Sequence, residues 1–506
     1  MFKKLVLLLS LLLAFVLWNC DPQDPVEENP LPTLNLISPT TKVDHMPTFT
    51  LTATGANFVP DSTIVFDGTA RVTNFVSASE LTCQITPDDI LLAAGAASGG
   101  PGATVSQTVT VLVRTPTPGG GDSGAQQFAI TDNHTFDSIL NISANARDSN
   151  EPCISVDGEG GVNVAWENRI SQNNYEIFFK RSGDRGTTWG QTGNISNSTR
   201  KCFNPEMALD NSGNINVVWN DSYVPMTATG ALAVYLGQST DNGGNWDVKD
   251  IENILQEEGT PAYSKPDIAI DGSGVINLVW QDYKANGSQE ITFLRSTDNG
   301  VTWEPAVNVS DSITGSCIFP DIAIGDTDIH IVWTKQPWGG GYNINLSSSA
   351  DNGAAWSQPL SLSTARYYAR PVIEAGNAGN IFVFLADDTQ GWSDIYFCKS
   401  TDNGSSWSTA VNISNTQGDS IYPSAAIDSA GNINLLWSDD TSGNAEIYFT
   451  RSIDNGMTWS AASNISASTG DSLLSAIALD QEGNIYIVWE DETPGNYDIY
   501  FTRSTI

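Results

Sequence analysis

The sequence predicts an all-β protein: a seven-bladed β-propeller with N-terminal strand closure, preceded by an immunoglobulin-like β-sandwich. Three observations carry this. First, the pattern Ser-x-Asp-x-Gly-x-x-Trp stands at Ser182/Asp184/Gly186/Trp189, Ser239/Asp241/Gly243/Trp246, Ser296/Asp298/Gly300/Trp303, Ser349/Asp351/Gly353/Trp356, Ser400/Asp402/Gly404/Trp407 and Ser452/Asp454/Gly456/Trp459. Its first serines are 57, 57, 53, 51 and 52 residues apart, a period that marks a solenoid, propeller or array. Second, an apolar strand ends at Trp166, Trp219, Trp280, Trp333, Leu385, Trp437 and Trp489, which counts seven units. Third, the last unit stops at Phe501-Thr502-Arg503-Ser504-Thr505 with no fourth strand, while Thr131 to Ser143 aligns with Ile453 to Ser466 minus one residue. An N-terminal strand that completes the last unit closes a ring and removes exposed sheet edges.

The chain opens with Lys3, Lys4 and an apolar run from Leu5 to Leu17, followed by Trp18-Asn19-Cys20. Charge and length read as a signal peptide over residues 1–20, too short for a comfortable membrane span. Its end resembles a bacterial lipoprotein lipobox, with Leu17 three before Cys20, although Asn19 stands where a small residue is usual. The resemblance implies lipidation of Cys20; ordinary secretion with Cys20 removed is the alternative. Residues 21–31, acidic and Pro-rich, follow as a flexible stalk.

The rest reads as an exported body. Its 58 acidic residues against 22 basic ones give a formal charge of −36, which argues against a nucleic-acid partner. No later stretch is apolar enough to span a membrane, so the only expected membrane contact is an N-terminal lipid anchor. The expected location is the cell envelope, lipid-anchored or secreted, and the expected state a monomer. Cys83, Cys153, Cys202, Cys317 and Cys398 have no Cys-x-x-Cys spacing, so neither a disulfide framework nor a zinc site is indicated. Cys153 and Cys202 fall at equivalent ends of neighbouring repeats and could pair; packed free thiols are the plainer reading.

Residues 32–130 form a separate β domain. Alternating runs such as Thr48 to Thr52, Thr63 to Phe66 and Thr108 to Val113 are separated by Gly, Pro, Asn and Asp turns, the pattern of a sandwich. Ile37-Ser38-Pro39, Gly55-Ala56-Asn57-Phe58-Val59-Pro60, Val65-Phe66-Asp67-Gly68, Leu81-Thr82 and Pro116 to Gly121 before Phe128-Ala129-Ile130 resemble an IPT/TIG domain. The resemblance implies that the Gly-rich stretch from Pro116 to Gly124 is a loop between the last strands, which places the domain boundary near Ile130.

Each repeat of residues 131–506 parses into four strands. In the unit at 423–466, Pro423 to Asp428, Ile433 to Trp437, Glu446 to Arg451 and Thr458 to Ser466 are strands, and Ser429-Ala430-Gly431-Asn432 is a turn. The recurring motif between the third and fourth strands is itself a turn. Its Asp accepts hydrogen bonds from amides just ahead, its Gly supplies a positive φ, and its Trp is carried back into the core. Asp184, Asp241, Asp298, Asp351, Asp402 and Asp454 are therefore structural; no enzyme needs the same acid six times over.

This repeat resembles the BNR or Asp-box repeat of sialidases and related propellers. The resemblance implies that the Asp-box turns and the first hairpin turns share one face, and that function sits on the other, made by the loops after each fourth strand and between the second and third. That face gathers Arg147, Arg169, Arg200, Arg366 and Arg370, with Tyr367, Tyr368 and Tyr422, and the carboxylates Asp148, Glu167, Asp221, Asp282, Asp387, Asp439 and Asp491. Arg181, Arg295, Arg451 and Arg503, just before the Asp-box, read as scaffold, and Arg185 lies within the turn. Sialidase chemistry wants three arginines on a substrate carboxylate, a Tyr nucleophile with a Glu partner, and an acid/base Asp. The listed arginines and tyrosines are the candidates for it, but the family's Arg-Ile-Pro motif has no match, and Arg370-Pro371 comes late and lacks the middle residue.

The repeated Asp after the second-strand Trp suits capping of the hairpin loop. Calcium is the one metal such carboxylates would suit, but no loop carries a dense Asp alternation, and no cofactor is called for. The Asn-Ile-Ser triplets at Asn141, Asn194, Asn412 and Asn464 match glycosylation acceptors but recur with the strand. Two functions fit: a surface-tethered recognition protein whose propeller face binds glycan or an extracellular protein, and an exo-α-sialidase-like glycoside hydrolase.

Overall fold

The computed structural model describes residues 28–43, 48–86, 106–131, 136–172, 174–222, 232–251, 265–283, 288–310, 315–325, 328–337, 341–365, 370–493 and 495–504. Residues 1–27, which hold the expected leader, Cys20 and most of the expected stalk, lie outside them, as do Arg366, Tyr367 and Tyr368. The described chain is all β. Among the described residues no helix is long and apolar enough to cross a membrane. Two compact units divide at Asp132/Asn133.

The first unit is two sheets. Thr33–Ser38, Phe49–Ala56, Glu80–Ile85 and Thr73–Ser77 make one, in that order; Thr41–Val43, Gln126–Thr131, Ser106–Thr115, Thr63–Phe66 and Thr69–Ala70 make the other. Alternation along each strand sends Leu51, Ala53, Ile64, Phe66, Val109, Val111 and Phe128 into the core. Gly121–Asp122 pairs back onto Arg114 and Thr115, and Arg114 Nε meets Asp122 Oδ1 at 2.6 Å. The Gly-rich stretch is thus part of this unit's own sheet.

Among the described residues the second unit contains five four-stranded antiparallel sheets and one eight-stranded sheet whose two halves repeat the same four-stranded plan, which gives seven such units. The first runs Ser149–Val156, Val162–Ser171, Asn174–Ser182, Gly193–Asn194. Five more follow the same plan, and the third and fourth are joined by one parallel bridge between Gln289 and Ser316. In the seventh, Ser472–Leu479, Ile485–Asp491 and Asp498–Ser504 are completed by Leu140–Asn141, with Leu140 opposite Phe501 and Asn141 opposite Tyr500. The inner strands touch in chain order, and the last, Ser472–Leu479, touches the first, Ser149–Val156.

The fourth strand is shorter than its sequence suggests: in the unit at 420–464 only Ser463–Asn464 pairs. Thr458 is taken by the turn instead, its amide donating to Asp454 Oδ1 at 2.8 Å. The Asn-Ile-Ser triplets have a scaffold use here. Asn412 Nδ2 and Ser414 Oγ donate to Asp394 at 2.8 and 2.9 Å, and Asn141 and Ser143 make the same pair of bonds to Asp498.

Each of the six Asp-box turns is one small hydrogen-bond cage. The box serine donates to the box aspartate at 2.7–2.9 Å, and the amide four residues after the aspartate donates to the same oxygen at 2.7–2.8 Å. The serine oxygen accepts from the glycine amide. In four boxes that glycine is also where the preceding sheet docks. A Cβ on Gly186, Gly243, Gly353 or Gly456 would lie 2.4, 2.1, 2.2 or 2.4 Å from the ring of Phe501, Phe179, Phe293 or Phe397. The box Trp meets the same ring edge-on, at 5.0 Å for Trp189/Phe501, 5.1 Å for Trp246/Phe179 and Trp356/Phe293, and 5.4 Å for Trp459/Phe397.

The cores lie between sheets rather than within them. Ala165, Ile177 and Phe179 of one pack with Ile215, Val217 and Trp219 of the next. Val162, Val164 and Trp166 pack with Tyr486, Val488 and Phe501, so the first and last sheets share a core as neighbours in sequence do. Cys83, Cys153, Cys202, Cys317 and Cys398 are buried free thiols. Substituting Gly353 by Ala should cost about 2–4 kcal/mol in urea unfolding, because the methyl meets Phe293 and the φ of +85° disfavours any side chain.

Candidate functional site

The inner strands enclose a cavity of about 460 Å³. It is lined by a feature that recurs once per unit, all of whose residues but Asn204 stand in the wall: Glu151-Pro152, Asn204-Pro205, Lys265-Pro266, Phe319-Pro320, Arg370-Pro371, Tyr422-Pro423 and Leu474-Ser475. In five units the register slips at this point. There the residue before the Pro or Ser takes a positive φ, 44° at Glu151, 51° at Asn204, 54° at Phe319, 55° at Tyr422 and 50° at Leu474. A bulge re-aims a side chain out of the strand's alternation. All seven first residues differ, so one recurring backbone position presents a varied set of side chains.

Three charged members of the set converge. Glu151 Oε2 lies 3.7 Å from Lys265 Nζ, and Oε1 lies 3.6 Å from Arg370 Nη2. The Arg370 guanidinium also sits 5.2 Å from the centre of the Phe319 ring and 5.0 Å from that of Tyr422, the geometry of a cation held over two aromatic faces. The bulges are strapped from behind. Glu490 Oε2 accepts from the Glu151 amide at 3.0 Å, and Glu167 Oε1 accepts from the Asn204 amide at 2.8 Å.

Of the residues singled out in the sequence, Arg370 and Tyr422 line this cavity, and Glu167 stands behind it as one of those straps. The others are dispersed. Arg169 pairs with Asp148 at 2.8 Å. Arg200 Nη1 donates to the Tyr235 hydroxyl at 3.3 Å, and Arg147 is exposed with its carbonyl bonded by Asn496. Asp387, Asp439 and Asp491 each accept the amide two residues on, at 2.7, 2.9 and 2.8 Å, and a serine hydroxyl besides. Asp221 accepts from Ser198 at 2.9 Å and Asp282 from Thr292 at 3.3 Å. Arg181, Arg295, Arg451 and Arg503 pair with Asp157, Glu304, Asp428 and Asp137. Among the described residues no group of three or more His, Cys, Asp or Glu is placed to hold a metal ion. The Pro of the lining recurs 53, 61, 54, 51 and 52 residues apart; that period was the signal that reasoning from the loops missed.

Residues 280–503 match the model of a BNR repeat-like domain, and residues 32–130 that of the IPT/TIG domain. The chain carries an IPT/TIG domain and a BNR repeat-like domain. No curated protein matches it. Similar solved structures include a protein of unknown function from Dyadobacter fermentans, 13% identical with a TM-score of 0.49, covering 74% of this chain and 99% of that one. A Hadza microbial sialidase is 14% identical with a TM-score of 0.48, covering 84% and 76%. Trypanosoma rangeli sialidase in complex with the inhibitor DANA is 14% identical with a TM-score of 0.45, covering 72% and 58%.

The inner strands give the cavity wall carboxyls shifted in both directions. Burial pushes Glu206 up to about 8, with the neighbouring Asp267 charge adding to it, and burial likewise holds Glu374 at about 8. Burial also raises Asp267 and, more strongly, Asp321, even though the Ile322 amide donates to Asp267 at 2.9 Å and the Ile373 amide to Asp321 at 2.7 Å. Glu151 goes the other way: burial raises it, but Lys265 and Arg370 outweigh burial and hold it below its ordinary value. The wall thus sets one cation-held carboxylate beside Glu206 and Glu374, whose carboxyls burial lifts to about 8.

A folded value above the unfolded one means stability that is intact below about pH 4.5 and lost as the pH rises through about 8. Glu206→Gln, which cannot ionise, should therefore raise the melting temperature relative to the parent at pH 8.5 by several degrees, with the gain shrinking to about zero at pH 4.5. Differential scanning calorimetry at both pH values checks this; an equal gain at both would exclude burial of an ionisable Glu206 as its cause.

Proposed function

We propose that the protein is an exported, surface-tethered recognition protein in which residues 131–506 form a closed, monomeric seven-bladed β-propeller whose cavity-mouth face binds glycan or an extracellular protein. In this reading residues 1–20 are the lipoprotein signal peptide with Cys20 as the lipid attachment point, residues 21–31 a stalk, and the IPT/TIG domain a spacer. Closure is supported by Leu140–Asn141 completing the seventh sheet and by the core shared between Trp166 and Phe501. Phe501→Ala should accordingly cost about as much as Phe293→Ala, about 3–5 kcal/mol in urea unfolding; a cost near zero for Phe501 alone would mean an open array.

The observation that carries the binding reading is the single arginine among the described lining residues. Arg370 is already engaged by Glu151, Phe319 and Tyr422, whereas a sialidase-type site needs three arginines converging on one carboxylate. A recognition site needs no such clamp. It needs a shaped concavity with a few fixed polar groups and aromatic faces, which the residues before the recurring prolines supply. The second reading, an exo-α-sialidase-like glycoside hydrolase, draws on the same cavity, since Tyr422 stands beside Arg370 and carboxyls that keep a proton near pH 7 suit a general acid. Calcium in the acidic loops would belong to either reading as a structural ion.

A fluorogenic sialoside offered to the full chain and to Arg370→Ala separates the two. The expected result is no turnover by either, with about tenfold or greater loss of ligand binding by Arg370→Ala on glycan and extracellular-protein arrays. Turnover by the parent that the substitution abolishes would establish the hydrolase instead.

A further inference from the structure

Three of the loops between second and third strands are copies of one another. They read Asp387-Asp388-Thr389-Gln390-Gly391-Trp392-Ser393-Asp394, Asp439-Asp440-Thr441-Ser442-Gly443-Asn444-Ala445-Glu446 and Asp491-Glu492-Thr493-Pro494-Gly495-Asn496-Tyr497-Asp498. Their backbones are held by the same bonds. The Thr amide donates to the first Asp in each, at 2.7, 2.9 and 2.8 Å. The glycine amide donates to the carbonyl three residues earlier, at 3.1, 2.9 and 2.8 Å. The residue after the variable position accepts from the serine that starts the inner strand, Ser420, Ser472 or Ser149, at 2.6, 2.7 and 2.7 Å.

At the variable sixth position two loops have Asn, and both use it as a stitch. Asn444 Nδ2 donates to the Gly470 carbonyl at 2.6 Å, and Asn496 Nδ2 donates to the Arg147 carbonyl at 3.2 Å. Gly470 and Arg147 occupy the same place in the loops after the fourth strands, where the remaining copy has Gly418. In that copy the sixth residue is Trp392. An indole has no amide to reach Gly418, and Trp392 is instead 58% exposed. The loop around it is pinned on both sides, since Gly391 is bonded to Asp388 and Ser393 accepts from Ser420 and donates its amide to Asp419 at 2.9 Å. A scaffold bond has been given up to hold a large aromatic face in water.

We propose that Trp392 is a stacking platform for a pyranose ring of a glycan ligand, which names the ligand class of the face described above and rests on that reading. The surroundings favour a sugar over a protein. A protein interface of useful size gathers several apolar side chains at its centre. Here one indole stands in a loop with Thr389, Gln390 and Ser393, beside Asp419. A pyranose has one apolar C–H face, which suits the electron-rich face of an indole, and a rim of hydroxyls, which suits polar neighbours on either side.

The test is Trp392→Asn in the full chain, the residue its own sister loops carry, against an array of neutral and acidic oligosaccharides, with Asn444→Ala as the control for a lost stitch. Trp392→Asn should melt no lower than the parent, because it restores the bond to Gly418, and should lose about tenfold or more in affinity for every glycan the parent retains. Asn444→Ala should melt lower and bind as the parent does. If parent and Trp392→Asn bind glycans equally, the platform is overturned while the recognition reading stands. If the parent binds proteins and no glycan, the platform is overturned and the ligand class with it.

Discussion

The seating of an aromatic ring on a glycine is the contact on which the repeat unit's architecture depends. Phe501, Phe179, Phe293 and Phe397 each lie on the left-handed glycine of the following Asp-box, with the box Trp closing over the ring edge. The Asp and Ser of the box serve to hold that glycine in place, since the serine oxygen accepts its amide and the aspartate gathers the amides that follow. A four-stranded meander has two apolar faces and cannot cover either alone. The box turns that deficit into a directional joint, because it lets one sheet approach the next at the single point where a side chain would obstruct it.

Stacking sheets this way leaves the inner strands facing one another across open space, and the chain fills that space with chemistry rather than bulk. Alternation in a regular strand would aim the residue before each proline elsewhere. The bulge breaks the alternation and delivers Glu151, Phe319 and Tyr422 to the cavity, where Glu151 and the two rings hold Arg370. For Glu206 and Glu374 burial is the larger effect, and it lifts both to about 8; at Glu206 it outweighs the pull of Lys265 and Arg370. Two kinds of acid in one cavity follow from the balance of burial against the ion pairs that Glu151 makes with Lys265 and Arg370.

Much of this was legible in the sequence, and the exceptions have a common cause. The all-β class, the Asp-box turns and the IPT/TIG stretch were readable because each is a local pattern: an amide acceptor two residues before a glycine, or an alternation of apolar residues. The candidate face was read less well. Arg169 and Arg200 carry the right chemistry, but their partners Asp148 and Tyr235 are fixed by strand pairing, and Asp387, Asp439 and Asp491 spend their oxygens on their own loops. The recurring proline had a clear period yet no chemical signature, since the residues that precede it all differ.

The sequence by itself determined the period, the turn in each unit and the strands on either side of it, because those rest on the conformational preferences of Gly, Asp and alternating apolar residues within a few positions of one another. Tertiary structure decided which side chains meet. Glu151, Lys265 and Arg370 stand 114 and 105 positions apart along the chain and come together only where the inner strands line one cavity. Trp392 shows the same division in miniature: the loop around it is written in the sequence three times over, but that the indole replaces a cross-loop bond becomes visible only where Asn444 and Asn496 reach their carbonyls.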